Sequence, residues 1–301
     1  MQIDRSCPVC GTSSTRATLF TKEDINQEKL SGFSFASRKT PEFMSHRMVA
    51  CLECDLVYAP QPPGDTELAA AYHQAEYDST EEAEDAADAY ARAIQPVFAN
   101  LPQRESALEI GTGTGVFLNR LQQEGFSVLV GVEPSTAAID AAHPEQRAWI
   151  RQGVFEESAF SPETFDLICC FMTMEHVPDP ATVARSAFKL LRPGGAFVTV
   201  THDRRSIVNR LLGKRSPIID VEHMQLFSDA SLTALFERSG YEQISIKAFS
   251  NRYALRYWLR LMPLPGLMKS FIAAVLARIG CDRLKLSVNV GNTMGAGFKP
   301  L

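Results

Sequence analysis

Four of the seven cysteines stand in two pairs, Cys7-Pro-Val-Cys10 and Cys51-Leu-Glu-Cys54. Two residues between cysteines let both sulfurs of one tight turn reach the same ion. Two such turns brought together make a tetrahedral set of four thiolates, which suits zinc. One pair alone would also read as a redox motif, but a second pair near it favours the metal. With thiolates at all four positions, Cys7, Cys10, Cys51 and Cys54 make a closed, structural site, and metal binding would help hold the segment folded.

A second constellation is Glu109-Ile-Gly111-Thr112-Gly113-Thr-Gly115. Ala107 to Ile110 read as a short buried strand and Val116 to Gln123 as a helix, with Phe117, Leu118 and Leu121 inward. The glycine loop then lies at the carboxyl end of a strand, where open α/β sheets bind their ligands. Ser127 to Val132 read as a second strand ending at Glu133, whose carboxylate can accept from both hydroxyls of a ribose. Phe165 to Phe171, after a loop bearing Glu156 and Glu157, and Ala196 to Thr201 read as further strands. Thr182 to Leu191 read as a helix between them. This alternation predicts a parallel, doubly wound sheet. His176 and His202 follow two of these strands. His223, in Val-Glu222-His223-Met-Gln, precedes a helix over Asp229 to Ser239. A histidine near neutrality can take a proton from a reacting hydroxyl.

The elements around these residues divide the chain. Pro60, Pro62, Pro63 and Gly64 close a zinc-ribbon-like module over 1–64. Residues 65–103 form a linker that holds Tyr72, His73 and Tyr77. A helix starts there at Ser79 or Thr80, with an acidic run in its first turns. The spacing of Tyr90, Ile94, Val97 and Leu101 carries it to Pro102. The Rossmann-like domain occupies 104–301, with an apolar insertion at about 251–283. Within the insertion, Pro263, Pro265 and Gly266 break 253–279 into two helices.

The chain has 301 residues, 45% hydrophobic and 22% charged, with a formal net charge of −5. That is room for one domain and a smaller one. The acidic balance speaks against a nucleic-acid partner, which needs a basic surface. No apolar leader follows Met1 and no run of about 18 apolar residues is present, so the cytoplasm is the expected compartment.

Taken in order, five motifs resemble those of class I S-adenosylmethionine (SAM)-dependent methyltransferases. They are Glu109 to Gly115, Gly131-Val-Glu133-Pro134-Ser135, Phe165-Asp166-Leu167-Ile168, Glu175-His176-Val177 and Leu190-Leu191-Arg192-Pro193-Gly194-Gly195. The resemblance covers about 104–300. It implies a Rossmann-like, doubly wound, seven-stranded sheet with helices on both faces. A nicotinamide-binding domain is the competing reading; Glu109, the glycine spacing and Leu-Arg-Pro-Gly-Gly favour SAM.

The resemblance also implies roles. Glu109 orients the methionine end of SAM, and Gly111, Thr112, Gly113 and Gly115 pass close to it. Glu133 and Pro134 hold the ribose. Phe155 and Glu156 fall where the family contacts adenine, with Val154 where an Asp often stands. Phe171, Met172 and Glu175 line the sulfonium end. Tyr72 and Tyr77 fold over the cofactor as a lid, or pack between modules. Sugar C-methyltransferases with a cysteine module look similar at Glu222-His223. There a histidine acts as base with an upstream Tyr, where Asp220 stands here. His223 with Glu222 is the expected base, and His176 a further candidate or a SAM-lining residue.

The expected acceptor is a small molecule, a sugar nucleotide or a glycan or lipid-linked intermediate. An inactive scaffold and a protein or nucleic-acid methyltransferase are the alternatives. The 253–279 segment implies a substrate cap, a homodimer contact in place of a monomer, or peripheral membrane contact.

Overall fold

The computed structural model describes residues 4–31, 33–36, 41–77 and 80–301. Strands β1 (Ala17–Thr21), β2 (Met48–Cys51) and β3 (Val57–Tyr58) open the chain. Each cysteine pair closes a turn: the Gly11 amide donates to the Cys7 carbonyl at 2.9 Å, and that of Asp55 to Cys51 at 3.1 Å. Gly11 (φ 74°) and Asp55 (φ 66°) take the left-handed conformation that such turns need.

Helix α1 (Asp65–His73) occupies the stretch read from sequence as a linker, and α2 (Thr80–Ala93) follows. The cap expected from Ser79 or Thr80 falls on side chains outside the described residues. The acidic run of α2 is a tether. Glu84 and Asp88 pair with Arg120 at 2.6 and 2.9 Å, and Asp85 pairs with Lys285 at 2.6 Å. The single helix expected to run to Pro102 is instead two. The chain breaks after Ala93 and resumes as α3 (Gln95–Phe98), with Pro96 in its first turn. Pro96 has no amide to donate and its ring crowds the preceding turn, so the ladder restarts there. Ile94 and Val97 stay buried.

The main domain runs β4 (Ser106–Ile110), α4 (Val116–Gln123), β5 (Val128–Glu133), α5 (Thr136–Asp140), α6 (Pro144–Arg147), β6 (Ile150–Gln152), β7 (Phe165–Phe171), α7 (Pro180–Leu190) and β8 (Leu191–His202). It continues through α8 (Ile207–Leu212), β9 (Gln225–Leu226), α9 (Asp229–Arg238), β10 (Glu242–Ala248), β11 (Asn251–Ala254), α10 (Leu255–Leu261), α11 (Gly266–Arg278), β12 (Lys285–Val288) and β13 (Asn292–Phe298). Seven strands form one sheet in the order β10-β13-β8-β7-β4-β5-β6. Strand order reverses beside β4, which places a ligand crevice at the carboxyl ends of β4 and β7.

The sheet is mixed, where alternation predicted a parallel one: β13 runs antiparallel to both β8 and β10. The chain leaves the carboxyl end of β10 and makes an excursion through the antiparallel pair β11 and β12. It returns at the same end, so β13 can only run back down the sheet. Apolar residues of α7 and α9 pack on one face, and those of α2, α3 and α4 on the other. Asp166 anchors the opposite end of β7. It accepts from the Glu105 and Ser106 amides at 2.9 Å and from Arg192 at 3.1 Å. Against the pull of burial, these bonds hold its carboxyl below the usual range.

The N-terminal sheet takes its fourth strand from the main domain. β9 pairs antiparallel with β3, Val57 opposite Leu226 and Tyr58 opposite Gln225. Cys7, Cys10, Cys51 and Cys54 belong to the same apolar cluster as Phe227, Leu232 and Phe236.

Candidate active site

The four cysteine sulfurs expected to hold a metal lie within 4.8 Å of one another. Sγ–Sγ distances are 3.5 Å for Cys7–Cys54 and 3.6 Å for Cys10–Cys51. A tetrahedral zinc with bonds of about 2.3 Å needs sulfurs about 3.8 Å apart, so the donor set fits that ion. All four cysteines are buried, as a closed site needs.

The open site is a cleft of about 750 Å³ at the carboxyl ends of β4, β5 and β7. The Gly111 and Thr112 amides donate to the Val132 carbonyl at 2.9 and 3.1 Å, fastening the glycine loop to β5. Gly111 (φ 74°) has no room for a side chain: a Cβ would stand 2.2 Å from Thr173 Oγ1. Around the position of a Cβ at Gly113 there is nothing within 4 Å. The backbone there is open to a ligand. Glu109 is buried, and its Oε2 accepts from Thr112 Oγ1 at 2.5 Å. Glu133 is buried too, accepting from the Gly113 and Ser135 amides, each at 2.8 Å. Burial raises its pKa, and the two amide bonds only partly offset that.

Pro134, Phe155, Glu156, Phe171, Met172, Tyr72 and Tyr77 line the same cleft as Glu109, Gly111, Thr112, Gly113 and Glu133. Gly115 does not. It turns the loop into α4 at φ 72° and packs on Gln146 and Ile150. Glu175 is also absent from the lining. It is 1% exposed, and its Oε1 accepts from the His202 amide at 2.8 Å. Met172 holds φ 51°, a left-handed kink that carries the chain from β7 into the cleft wall. The Tyr77 hydroxyl is buried with no hydrogen-bond partner.

His176, Glu222 and His223 meet on the far wall. The rings of His176 and His223 are 4.8 Å apart, and those of His202 and His223 6.0 Å. His223 Nδ1 lies 2.8 Å from the Ile218 carbonyl, which can only accept. The neutral ring therefore carries its proton on Nδ1 and its lone pair on Nε2. Glu222 Oε1 stands 3.8 Å from that Nε2. Tyr72 Oη lies 2.9 Å from His176 Nδ1. Burial, and then the carboxylates of Glu222, Glu133 and Glu175, hold this phenol well above its ordinary pKa, so it stays protonated.

The segment that carries His223 is clasped by the cysteine module. Asp220 accepts from the Glu42 amide at 3.1 Å, His46 Nε2 lies 2.9 Å from the Val221 carbonyl, and the Ala59 amide donates to Met224 at 2.7 Å. Thr173, within the stretch expected to line the sulfonium end, and Tyr253, Tyr257 and Trp258, within the segment read as a substrate cap, line the cleft, as do Asn251 and Asn292, which sequence reasoning did not single out. An asparagine opening an otherwise apolar strand, as at Asn292, is the one signal that could have marked them.

A Rossmann-like sheet with this glycine loop and an acid ending the second strand of the domain defines the class I SAM-dependent methyltransferase architecture. The methyltransferase domain family matches residues 82–246, more than half of the chain, and the chain belongs to that family. Curated relatives include ubiquinone biosynthesis O-methyltransferases. One from Aliivibrio fischeri is 27% identical over 154 residues, 47% of this chain and 66% of the relative. One from Pseudomonas fluorescens is 28% identical over 120 residues, 36% of this chain and 50% of the relative. The matches thus span about half to two thirds of these relatives. Among solved structures, a putative methyltransferase from Bacillus halodurans shares the fold with a TM-score of 0.50 at 16% identity. That match covers 70% of this chain and 99% of the other.

Proposed function

We propose that this protein transfers the methyl group of SAM to a hydroxyl of a small-molecule acceptor, with His223 as the base. The observation that carries this reading is the place of His223, held through Nδ1 by the Ile218 carbonyl, in the cleft that Glu109, the glycine loop and Glu133 also line. The residues present fit the cofactor: Gly113 is open, Glu133 stands where a ribose can donate, and the Tyr77 hydroxyl has no partner among the described residues. When bound, SAM supplies an electrophilic methyl on a sulfonium. Glu109 and Glu133 hold its two ends, and the cleft walls align the acceptor for in-line displacement. His223 Nε2 would take the proton of the acceptor hydroxyl as that oxygen receives the methyl group. Glu222 stabilises the imidazolium so formed.

Glu76, Glu156, Asp220 and Glu222 join Glu109 and Glu133 in lining the cleft, and no Lys or Arg does so among the described residues. This charge suits a cationic cofactor and a neutral acceptor better than a phosphorylated one. A sugar-nucleotide or lipid-diphosphate acceptor is therefore the less favoured form of this reading. The relatives' O-methyltransferase names agree with a hydroxyl acceptor. Zinc at the four cysteines steadies the His223 segment, and such thiolates persist in a reducing compartment such as the cytoplasm.

No helix among the described residues is long and apolar enough to cross a membrane. Helix α11 is suited to lying on one. Leu267, Phe271, Val275 and Ile279 are 90%, 70%, 42% and 62% exposed at four-residue spacing, with Lys269 and Arg278 beside them. Sedimentation with anionic vesicles at low salt checks this contact, and Phe271→Glu should abolish it. Absence of binding would leave α11 to a contact between copies.

The test of the function is single-turnover methyl transfer to a panel of neutral hydroxylated acceptors. His223→Ala should slow turnover by about 10²-fold or more and leave SAM affinity nearly intact. Unchanged turnover would remove His223 from the mechanism.

A further inference from the structure

Beyond the histidines, the cleft ends in a pocket that the proposed transfer does not use. Asn292 opens β13 in register with His202 on β8. It is 1% exposed, and neither its Oδ1 nor its Nδ2 has a hydrogen-bond partner among the described residues. Asn251, 4% exposed, opens β11. Its Nδ2 donates to the Tyr253 hydroxyl at 3.2 Å, while its Oδ1 has no partner. The Phe249 amide donates to the Asn292 carbonyl at 3.0 Å, which brings the approach to β11 beside β13. Buried amides are ordinarily satisfied within a protein. Here two line a cleft wall instead. Next to them, the rings of Tyr253, Tyr257 and Trp258 cluster with centroids 4.6 to 6.3 Å apart.

We infer that this pocket takes a planar, uncharged, hydroxylated ring. The ring lies against the aromatic wall, and Asn251 and Asn292 hold a hydroxyl or carbonyl remote from the oxygen that is methylated. The two amides offer both donors and acceptors, so either group on the ring can be paired. A sugar ring would bury more hydroxyls than two amides can satisfy, each at a cost. A flat ring brings one hydroxyl, which can accept from Asn292 Nδ2 and donate to one of the two Oδ1 atoms. The inference rests on the methyl-transfer reading and names the acceptor of that same site. Asn251 and Asn292 are specificity residues in it, separate from the His223–Glu222 pair that takes the proton.

The test titrates the full chain, loaded with S-adenosylhomocysteine, by calorimetry with 4-hydroxymethylcatechol and with 4-methylcatechol. The probes differ by one hydroxyl. The hydroxymethyl compound should bind about tenfold or more tightly, since a site built for a hydroxyl rejects the analogue without it. Asn292→Leu and Asn251→Leu should abolish that difference with S-adenosylhomocysteine affinity unchanged. If a leucine variant does not fold, Asn292→Ser should keep the hydroxymethyl preference in weakened form. Equal binding of the two catechols by the unaltered protein overturns the inference. So does a preference that survives both leucine substitutions. No catechol binding to the loaded protein, or tighter binding of methyl α-glucoside, overturns the ring while leaving methyl transfer standing. Failure of S-adenosylhomocysteine itself to bind sinks both.

Discussion

Glu133 shows how one side chain can tie cofactor affinity to pH. Burial raises the pKa of its carboxyl in the free protein, against the pull of two amide donors. Ribose hydroxyls donating to the ionised form would lower it again. Binding therefore releases a proton in the window between the lowered and the raised value. SAM affinity should rise with pH through that window and level off above it. Calorimetry in buffers of differing ionisation heat reads the proton release, and a pH-independent affinity would contradict it. The positions of Glu109 and Glu133 were legible because their motif fixes them to strand ends. Glu175 was not, because only the fold shows its carboxylate accepting from the His202 amide at 2.8 Å. The juxtaposition of Asn251 and Asn292 was illegible for the same reason: an excursion of some forty residues separates them in the chain.

Helix α9 packs on β13 through the absence of side chains. A Cβ at Gly297 would lie 2.7 Å from Phe236 Cδ1 and 2.8 Å from Tyr241 Cβ. Gly297→Ala should cost about 1 to 3 kcal/mol of stability by overpacking, read from denaturant unfolding; a stability equal to that of the unaltered protein would mean the contact relaxes freely. Elements with a strong local period were readable: α4 spans Val116–Gln123 and β7 spans Phe165–Phe171, the bounds the sequence predicts. Strand β9 has two residues, too few for any period, and exists because β3 offers it an edge. Strand β11 was hidden inside an apolar run that reads as helix, and only its pairing with β12 makes it extended.

At the scale of the whole molecule, the cysteine module and the strand that follows His223 share a sheet. β3 pairs with β9, two residues beyond His223, and Arg204 reaches back to the Asp55 carbonyl at 2.9 Å. Metal loss should therefore loosen the His223 segment before it disturbs the glycine loop, which is fastened to β5. Chelation, or Cys54→Ser, should reduce turnover and thermal stability more than SAM affinity. Full turnover by a metal-free protein would separate the module from the site. The sequence showed two modules in series. Their fusion through β9 was hidden because strand pairing between distant segments leaves no local trace.

The central claim, a SAM site built from Glu109, the glycine loop and Glu133, is tested most directly by calorimetric titration with SAM of the unaltered protein and of Glu133→Ala. Saturable binding, weakened about 10- to 100-fold by the loss of a charge-assisted hydrogen-bond pair, is the expected result. A folded protein that does not bind SAM, or binds it equally well without the Glu133 carboxylate, would contradict the account.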